Sequence, residues 1–378
     1  MSSPPPPGAD GPSGTDQDKD LFLGLADALT VLSEHNKLRS FSLPYPREAQ
    51  LALDRVTLHC VNHGWAPPKS LPELMSWCTR RPAADPVFGV PPAPMTYDAR
   101  WIDPVGLVPT RTCLEVAPLG QPGRAEQDAL DALAGLAHRC GSADRYRRCR
   151  KFLAHHPVVT QEDRFAPGWS AVVWNTVRTL YEPLPEGLME RKLLAVCGTC
   201  GLPARTRDDE WESGPGTWCE GEVCPHGVRF RLLRRPGHCL VLRRSLRVFL
   251  AASSRTEQEA LDELVRIGAD YHLLENSGIG AYRVAGSGLR TCLIQAWDRR
   301  QPALMAGRAV TLFSHTTEPV LMVVPRRAME QNGYRALFDG ALSRECRGRV
   351  ILTTADELER HLRPHDPLSN EKGEGAHA

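Results

Sequence analysis

Four cysteines, arranged as two closely spaced pairs, constrain the middle of this chain more than any other feature of its sequence. The first pair is Cys197-Gly-Thr-Cys200 and the second is Cys219-Glu-Gly-Glu-Val-Cys224, with turn-forming residues between them. Zinc prefers four soft ligands in a tetrahedron, and two short knuckles supply them without a large hydrophobic core. The spacing therefore predicts a zinc ribbon whose structural Zn²⁺ is bound by Cys197, Cys200, Cys219 and Cys224. Because four protein ligands close the site, we expect it to stabilise the fold rather than to catalyse a reaction.

Two other interpretations of these cysteines stay open from the sequence. They are four free thiols that lie close by chance, or His226, two residues past Cys224, replaces one ligand. A disulfide framework is disfavoured because the N-terminus has no basic region followed by an apolar core and so resembles no secretory signal. We therefore expect a cytoplasmic protein. Cysteines outside the pattern, such as Cys60, Cys113, Cys239 and Cys346, are expected to be small buried residues.

Composition and hydrophobic periodicity predict a multidomain α+β protein. The 378 residues are 42% hydrophobic and 24% charged, and no apolar run approaches the roughly 18 residues of a membrane span. We therefore expect no membrane partner. The predicted segments are a disordered leader (1–19), a helical domain (20–115), a second helical region (116–194), the zinc ribbon (195–228), an α/β domain (229–364) and a disordered tail (365–378).

Three local signals refine this division. Ser70 followed by a leucine and a proline predicts an N-cap and the first turn of a helix. Proline-rich residues 80–96 are predicted to connect domains rather than to enter a core. In the last domain, helical and strand patterns alternate in the order α-β-β-β-α-β-α-β-α, which is typical of a central sheet flanked by helices.

Arginines cluster directly after the cysteine pattern. Residues 227–250 contain seven arginines and no acid, and arginine binds phosphate in a two-pronged geometry. We predict that nucleic acid contacts members of this cluster, namely Arg234, Arg235, Arg243, Arg244 and Arg247. A second basic run spans 145–151. The alternative is a solvated face neutralised by acids elsewhere, since the net charge of the whole chain is only +1.

Several strings together resemble proteins of the bacterial pPIWI-RE three-gene islands. "LPYPREAQLALDRVTLHC" resembles the Y domain of these islands, while "YRRCRKFLAHHPVVT" and "CGTCG" resemble the start of their restriction-endonuclease-like protein. The resemblance implies an antiviral defence context with an Argonaute-like pPIWI protein and a DinG-type helicase as partners. It also implies that 20–115 is a Y-like domain and that 229–364 is a restriction-endonuclease-like domain with an αβββαβ core.

A nuclease of that class needs an acid from the first helix, an aspartate at the hairpin, and an acid-x-lysine motif on the next strand. Carboxylates then hold Mg²⁺, and the lysine positions or activates water. Glu259 or Glu263 is the candidate for the first acid. The hairpin, however, offers Ala281 and Tyr282, and the acid-x-lysine motif falls on Ile294-Gln295-Ala296. The expected motif is therefore degenerate.

A noncanonical catalytic site is the remaining possibility for nuclease chemistry. It would consist of Glu259, Glu275 and Asp298, with Arg299 and Arg300 behind Asp298. The competing interpretation is that all three acids are ordinary surface charges. Arginine stays protonated and is a poor activator of water, although it still binds phosphate.

Three functions follow from these observations. The favoured hypothesis is a nucleic-acid-associated accessory protein of a pPIWI defence system, with a degenerate nuclease fold and with DNA ahead of RNA as its ligand. The second is an active Mg²⁺-dependent DNA endonuclease with migrated catalytic residues. The third is a protein–protein adaptor in which the nuclease-like segment is only structural.

Overall fold

The computed structural model describes residues 14–34, 44–190, 192–206, 212–213, 216–222, 224–234, 236–274 and 279–363. Across these ranges the chain combines helices with three β-sheets, which confirms the mixed α/β class. Two candidate residues, Arg235 and Glu275, lie outside the described residues, as do the predicted tail and residues 1–13 of the predicted leader.

The helices, in chain order, are α1 (Gly14–Glu34), α2 (Arg47–Asn62), α3 (Leu71–Arg80), α4 (Arg111–Glu115), α5 (Arg124–Cys140), α6 (Ala143–His155), α7 (Ala171–Val177), α8 (Arg244–Leu246), α9 (Ser254–Arg266), α10 (Pro302–Phe313), α11 (Arg326–Met329), α12 (Tyr334–Ala341) and α13 (Leu358–Leu362). The strands are β1 (Val158–Val159), β2 (Tyr181–Pro183), β3 (Leu194–Cys197), β4 (Pro203–Thr206), β5 (Thr217–Cys219), β6 (Phe230–Leu233), β7 (Leu240–Leu242), β8 (Asp270–Leu273), β9 (Ala281–Ala285), β10 (Cys292–Ala296), β11 (Val320–Val323) and β12 (Val350–Thr353).

Helices α1, α2 and α3 pack around the first core. Ser70 caps α3 as predicted, since its side chain accepts a hydrogen bond from the Glu73 amide. The first helix begins at Gly14, however, so residues 14–19 of the predicted disordered leader are helical. Asp18 explains part of this extension, because its carboxylate lies 3.2 Å from the His59 ring on α2.

The proline-rich connector at 80–96 is part of the same core, contrary to the prediction. Phe88 is fully buried and meets Trp101 edge-on, with 6.1 Å between ring centroids. Gly89 has φ of +88°, and a Cβ there would lie 2.2 Å from the Asp18 carbonyl oxygen. Prolines exclude a regular helix from this segment, but they do not keep its apolar side chains in solvent.

The middle of the chain forms two small sheets beside helices α5, α6 and α7. A three-stranded sheet has the order β1-β7-β2, and a four-stranded sheet has the order β5-β4-β3-β6. All pairings within these two sheets are antiparallel. The four-stranded sheet carries the cysteine pairs at its turns, where the ribbon was predicted.

The C-terminal part is a five-stranded sheet with the order β12-β11-β10-β9-β8. Strands β8, β9 and β10 form an antiparallel meander, whereas β10, β11 and β12 run parallel. Ile294 and its same-face neighbours pack under α9, while Leu293 and Trp297 pack under α10 and α12 on the other face. The element order matches the prediction, with the short helix α11 added after β11.

Candidate metal centre and the strand-end cluster

The four predicted cysteines converge into one group, which we call the cysteine centre. Cys197 ends β3, Cys219 ends β5, and Cys200 and Cys224 follow on the adjoining turns. All four Sγ atoms lie within 4.8 Å of one another. The Sγ of Cys219 is 3.3 Å from that of Cys200 and 3.8 Å from that of Cys224. A tetrahedral site with metal–sulfur distances of about 2.3 Å places its sulfurs roughly 3.8 Å apart, so the group fits a metal ion.

The backbone around the cysteine centre is shaped for this arrangement. The amide of Thr199 lies 3.4 Å from the sulfur of Cys197, and the amide of Gly221 lies 3.4 Å from the sulfur of Cys219. A Cβ at Gly221 would lie 3.2 Å from the sulfurs of both Cys200 and Cys224. A Cβ at Gly198 would lie 2.6 Å from the Arg229 carbonyl oxygen. Both turns therefore need glycine to bring the sulfurs together.

Electrostatics within the cysteine centre also favour a bound cation. Hydrogen bonds from neighbouring thiols lower the pKa of Cys197, and the same proximity raises the pKa of Cys200 and Cys219. The four sulfurs are thus close enough to influence one another, and a dication would stabilise them together as thiolates. The exposed His226 is not a member of the group. In the described part of the chain no other set of three or more ligand side chains is close enough to share a metal.

Asp298 lies just past the end of β10 and is committed to an ion pair. Its Oδ2 is 3.1 Å from Nη1 of Arg111 on α4, and both side chains are almost completely buried. The same Arg111 nitrogen donates to the Gly221 carbonyl at 3.0 Å. Burial raises the pKa of Asp298, and Arg111 opposes that rise. Asp298 therefore ties the sheet to α4 and to the cysteine centre.

The residues around Asp298 extend this pair into a network that we call the strand-end cluster. Glu222 accepts the Arg111 amide at 2.7 Å, and its carboxylate lies 3.8 Å from Nε of Arg300. Burial raises the pKa of Glu222 to about 7 against the opposing effects of Arg300 and Arg111. Glu115 accepts the amides of Arg300 and Gln301, each at 3.0 Å. The members of the strand-end cluster are Arg111, Glu115, Glu222, Asp298, Arg299, Arg300 and Gln301.

The arginines predicted to stand behind Asp298 also serve this network. The guanidinium of Arg299 lies 2.9 Å from Glu126 and is stacked over Phe249 at 4.5 Å. Arg300 pairs with Asp98 at 3.1 Å. Neither side chain is thus a free phosphate ligand.

The predicted catalytic positions on the hairpin are apolar and buried. Ala281, Ile294 and Ala296 are each at most 2% exposed. Ile294 is the cross-strand partner of Tyr282, and both face α9. The side-chain amide of Gln295 donates to the Ile279 carbonyl. Nothing on these strands resembles the carboxylate pair that a catalytic metal requires.

The acid of α9 that reaches the hairpin is Glu257, which the sequence analysis missed. Arg150 of α6 binds both of its oxygens, at 2.6 and 2.8 Å, and the Tyr282 hydroxyl donates to Oε1. Burial by itself would raise the pKa of Glu257, but Arg150 and Tyr282 lower it below the ordinary value. Helical spacing could have identified it, because residues 257, 260 and 264 share the buried stripe of α9.

Glu259, in contrast, is exposed and pairs with Arg255 on the same helix at 2.8 Å. Glu263 pairs similarly with Arg266 at 2.6 Å. These two acids and Asp298 nevertheless line one cleft of about 760 Å³, whose lining also includes Cys200 and Cys224. The structure thus brings Glu259 and Asp298 to the same cleft, with each already paired to an arginine.

The basic stretch divides into exposed and internal arginines. Arg234 and Arg243 are exposed. Arg247 is buried, and its Nε lies 2.6 Å from a carboxylate oxygen of Glu220. The Nε of Arg244 lies 3.4 Å from the other oxygen of the same acid. Arg244 also donates to Ser33 and to the Pro109 carbonyl. Two of the predicted nucleic-acid contacts therefore stabilise the fold instead, because a buried acid neutralises their charge.

Comparison with known proteins identifies one part of the chain. No curated protein and no solved structure matches it. None of the helices in the described ranges has the length and apolar character needed to cross a membrane. A family model does match, and the matched part begins within α1 and ends just after β1. Residues 21–160 match the model of the pPIWI_RE three-gene island domain Y, which confirms the resemblance to the Y domain seen in the sequence.

Proposed function

We propose that this protein is a nucleic-acid-associated accessory component of a pPIWI prokaryotic defence system, in which a nuclease-like domain has lost its catalytic motif. The observation that supports this most directly is the burial of Ala281, Ile294 and Ala296 where metal-binding acids and a lysine are needed. The Y-domain match over 21–160 supports the pPIWI context. An Argonaute-like pPIWI protein and a DinG-type helicase are the proposed partners in the cytoplasm.

Loss of catalysis follows from the charge balance around the hairpin. Metal-assisted phosphodiester cleavage depends on carboxylates that hold a cation against the developing negative charge. Here Glu257 is bound on both oxygens by Arg150, and Asp298 is paired with Arg111. Each buried acid already has a protein cation as its counter-charge. A divalent ion would have to displace a buried guanidinium, which is costly.

Nucleic-acid association is proposed from the exposed arginines near the cysteine centre. Arg231, Arg234 and Arg243 are exposed on or beside β6 and β7. Such side chains bind the phosphate backbone without reading its sequence. We propose Zn²⁺ as the metal of the cysteine centre, since an all-sulfur tetrahedral donor set is typical of structural zinc. Its role is to hold this surface in place.

An active Mg²⁺-dependent endonuclease remains the second candidate. One observation favours it, which is that Glu259, Glu263 and Asp298 line the same cleft. Rearrangement of the Arg255 and Arg266 side chains would free exposed Glu259 and partly buried Glu263 there, because surface ion pairs are weak. This candidate requires Asp298 to leave Arg111 as well.

Plasmid incubated with the purified protein and Mg²⁺ or Mn²⁺ separates the two candidates. We expect no nicking, and DNA retention that weakens with rising salt. Arg234→Ala together with Arg243→Ala should reduce retention, whereas Arg335→Ala, an exposed arginine on α12, serves as the matched control. Robust nicking lost in Glu259→Gln and Asp298→Asn would instead establish the endonuclease. A protein that neither cleaves nor retains DNA would point to the adaptor function.

A further inference from the structure

A second cavity, of about 440 Å³, lies on the far side of α9 between α6 and strands β8 and β9. Its walls include Arg147, Lys151 and His155 from α6, and Tyr271 and His272 from β8. We call it the α6 pocket. Its volume falls within the range of small-ligand sites, which is about 300–1,000 Å³. None of these residues takes part in the cysteine centre or the strand-end cluster.

The α6 pocket has a surplus of positive charge. Three cationic side chains line it against a single carboxylate, that of Glu257, which Arg150 already binds on both oxygens. Lys151 is exposed and has no ion pair within the described ranges. Arg147 pairs with Asp144 at 2.5 Å, but both side chains are more than half exposed, and such pairs exchange readily for a better anion. The lining therefore suits an anionic ligand.

Aromatic rings stand beside these cations. Tyr271 is partly buried and meets Tyr282 edge-on, with 5.9 Å between ring centroids. His155 and His272 are exposed at the rim. Flat rings next to phosphate-binding cations are the combination by which proteins hold single nucleotides, because the base stacks while the phosphate is neutralised.

The floor of the pocket consists of buried side chains. Arg150, Glu257 and Tyr282 form it, and their mutual hydrogen bonds leave each almost fully buried. A strand end enters from one side only, whereas a continuing strand would also have to pass these buried side chains. A terminal phosphate also carries more negative charge than a backbone diester, at about −1.5 to −2.

We propose that the α6 pocket binds the phosphorylated end of a nucleic-acid strand. Lys151 and Arg147 contact the terminal phosphate, and Tyr271 stacks against the last base. The Arg150–Glu257 pair is the rigid floor that limits how far the strand enters. This inference rests on the proposed association with nucleic acid and adds where and in what form a strand is held.

Fluorescence anisotropy with internally labelled single-stranded DNA tests this inference. Three otherwise identical strands carry a 5′-phosphate, a 3′-phosphate or only hydroxyl ends. We expect one phosphorylated strand to bind at least about tenfold more tightly than the hydroxyl strand, since charge-assisted hydrogen bonds are lost without the phosphate. The difference should disappear in Lys151→Ala with Arg147→Ala and should shrink in Tyr271→Ala. Circular dichroism of each variant checks that it is folded.

Arg148→Ala is the matched control, because Arg148 is exposed on the same helix but does not line the pocket. A phosphate preference lost equally in Arg148→Ala would overturn the pocket, since general electrostatics would then explain it. Equal binding of all three strands would overturn the pocket and leave the proposed function standing. Competition by a free mononucleotide at the affinity of the strand would overturn the assignment to a strand end. Absence of binding by every strand would overturn both proposals.

Discussion

The cysteine centre and the strand-end cluster touch each other but are assembled in different ways. All four cysteines come from one segment, 197–224, and their sulfurs meet because two tight turns fold back on themselves. The strand-end cluster draws its charges from α4, from Glu222 and from the loop after β10. One group therefore stabilises its own hairpins, whereas the other joins distant parts of the chain. Removal of either should have a different structural consequence.

Removal of the metal should have the largest effect. On the side of the cysteine centre, the four-stranded sheet buries only a small cluster, Ala195, Cys197, Ala204 and Phe230, whereas its other face places Leu194, Val196 and Trp218 in a neighbouring core. Structural zinc contributes about 10–16 kcal/mol in small zinc-binding peptides, so loss of the metal should strongly destabilise the cysteine-bearing turns of this sheet. We expect Cys219→Ser to abolish bound zinc, as measured by plasma mass spectrometry, and to lower the melting temperature. Cys239→Ser, which changes a buried cysteine outside the centre, is the control. Unchanged zinc content in Cys219→Ser would contradict a four-cysteine site.

Breaking the strand-end cluster should come second. Arg111→Met leaves the buried carboxylate of Asp298 without its cation and removes a cation 3.9 Å from buried Glu115, which is expected to cost about 3–5 kcal/mol. The added change Asp298→Asn should recover part of this loss, because the unpaired charge of Asp298 itself is then removed. Urea unfolding of the single and double variants measures the coupling. Additive losses would show that the two side chains do not interact.

The Arg150–Glu257 pair should have a smaller effect that depends on pH. The pKa of Glu257 is lowered in the folded state, so its ionised carboxylate stabilises the fold at a pH above the ordinary pKa of glutamate. This stabilisation is lost as the pH falls through the lowered, folded-state pKa. We expect Glu257→Gln to cost about 2 kcal/mol at neutral pH. The difference from the unmodified protein should shrink below about pH 4.5, where the free carboxyl titrates. A difference that stays constant down to pH 3 would argue against the pair, as measured by unfolding at each pH.

Glu259 should have the smallest effect. Its pair with Arg255 joins side chains that are about half exposed, and such pairs are worth about 0.5 kcal/mol or less. Glu259→Gln should therefore leave unfolding, DNA retention and zinc content nearly unchanged. A large loss of stability or of any cleavage activity in this variant would show that Glu259 has a role beyond the surface.

These differences explain which features could be predicted from the sequence. The cysteine spacing, the Ser70 cap and the element order after α9 are encoded by residues close together in the chain. Glu115 and Arg300 are 185 residues apart, and Arg111 and Asp298 have a similar separation. No local sequence pattern therefore predicts either contact. Glu257 is an intermediate case, because helical spacing points it inward but does not identify Arg150 as its partner. Burial of the proline-rich connector depends likewise on a distant helix, since the Asp18 carbonyl of α1 accepts a hydrogen bond from the Val90 amide at 3.1 Å.

Oppositely charged residues meet where the α4–α5 region contacts the loop after β10. Asp98, Glu115 and Glu126 lie on the N-terminal side and meet arginines or amides of the C-terminal side. The Arg111–Asp298 pair runs in the opposite sense. An interface with charges of both signs on each side favours a single alignment of the two parts. A shifted alignment would place like charges opposite each other. Because its charges complement those of the other part, each part should dock with the other in preference to a second copy of itself. We therefore expect the two parts, expressed as separate fragments, to associate in trans.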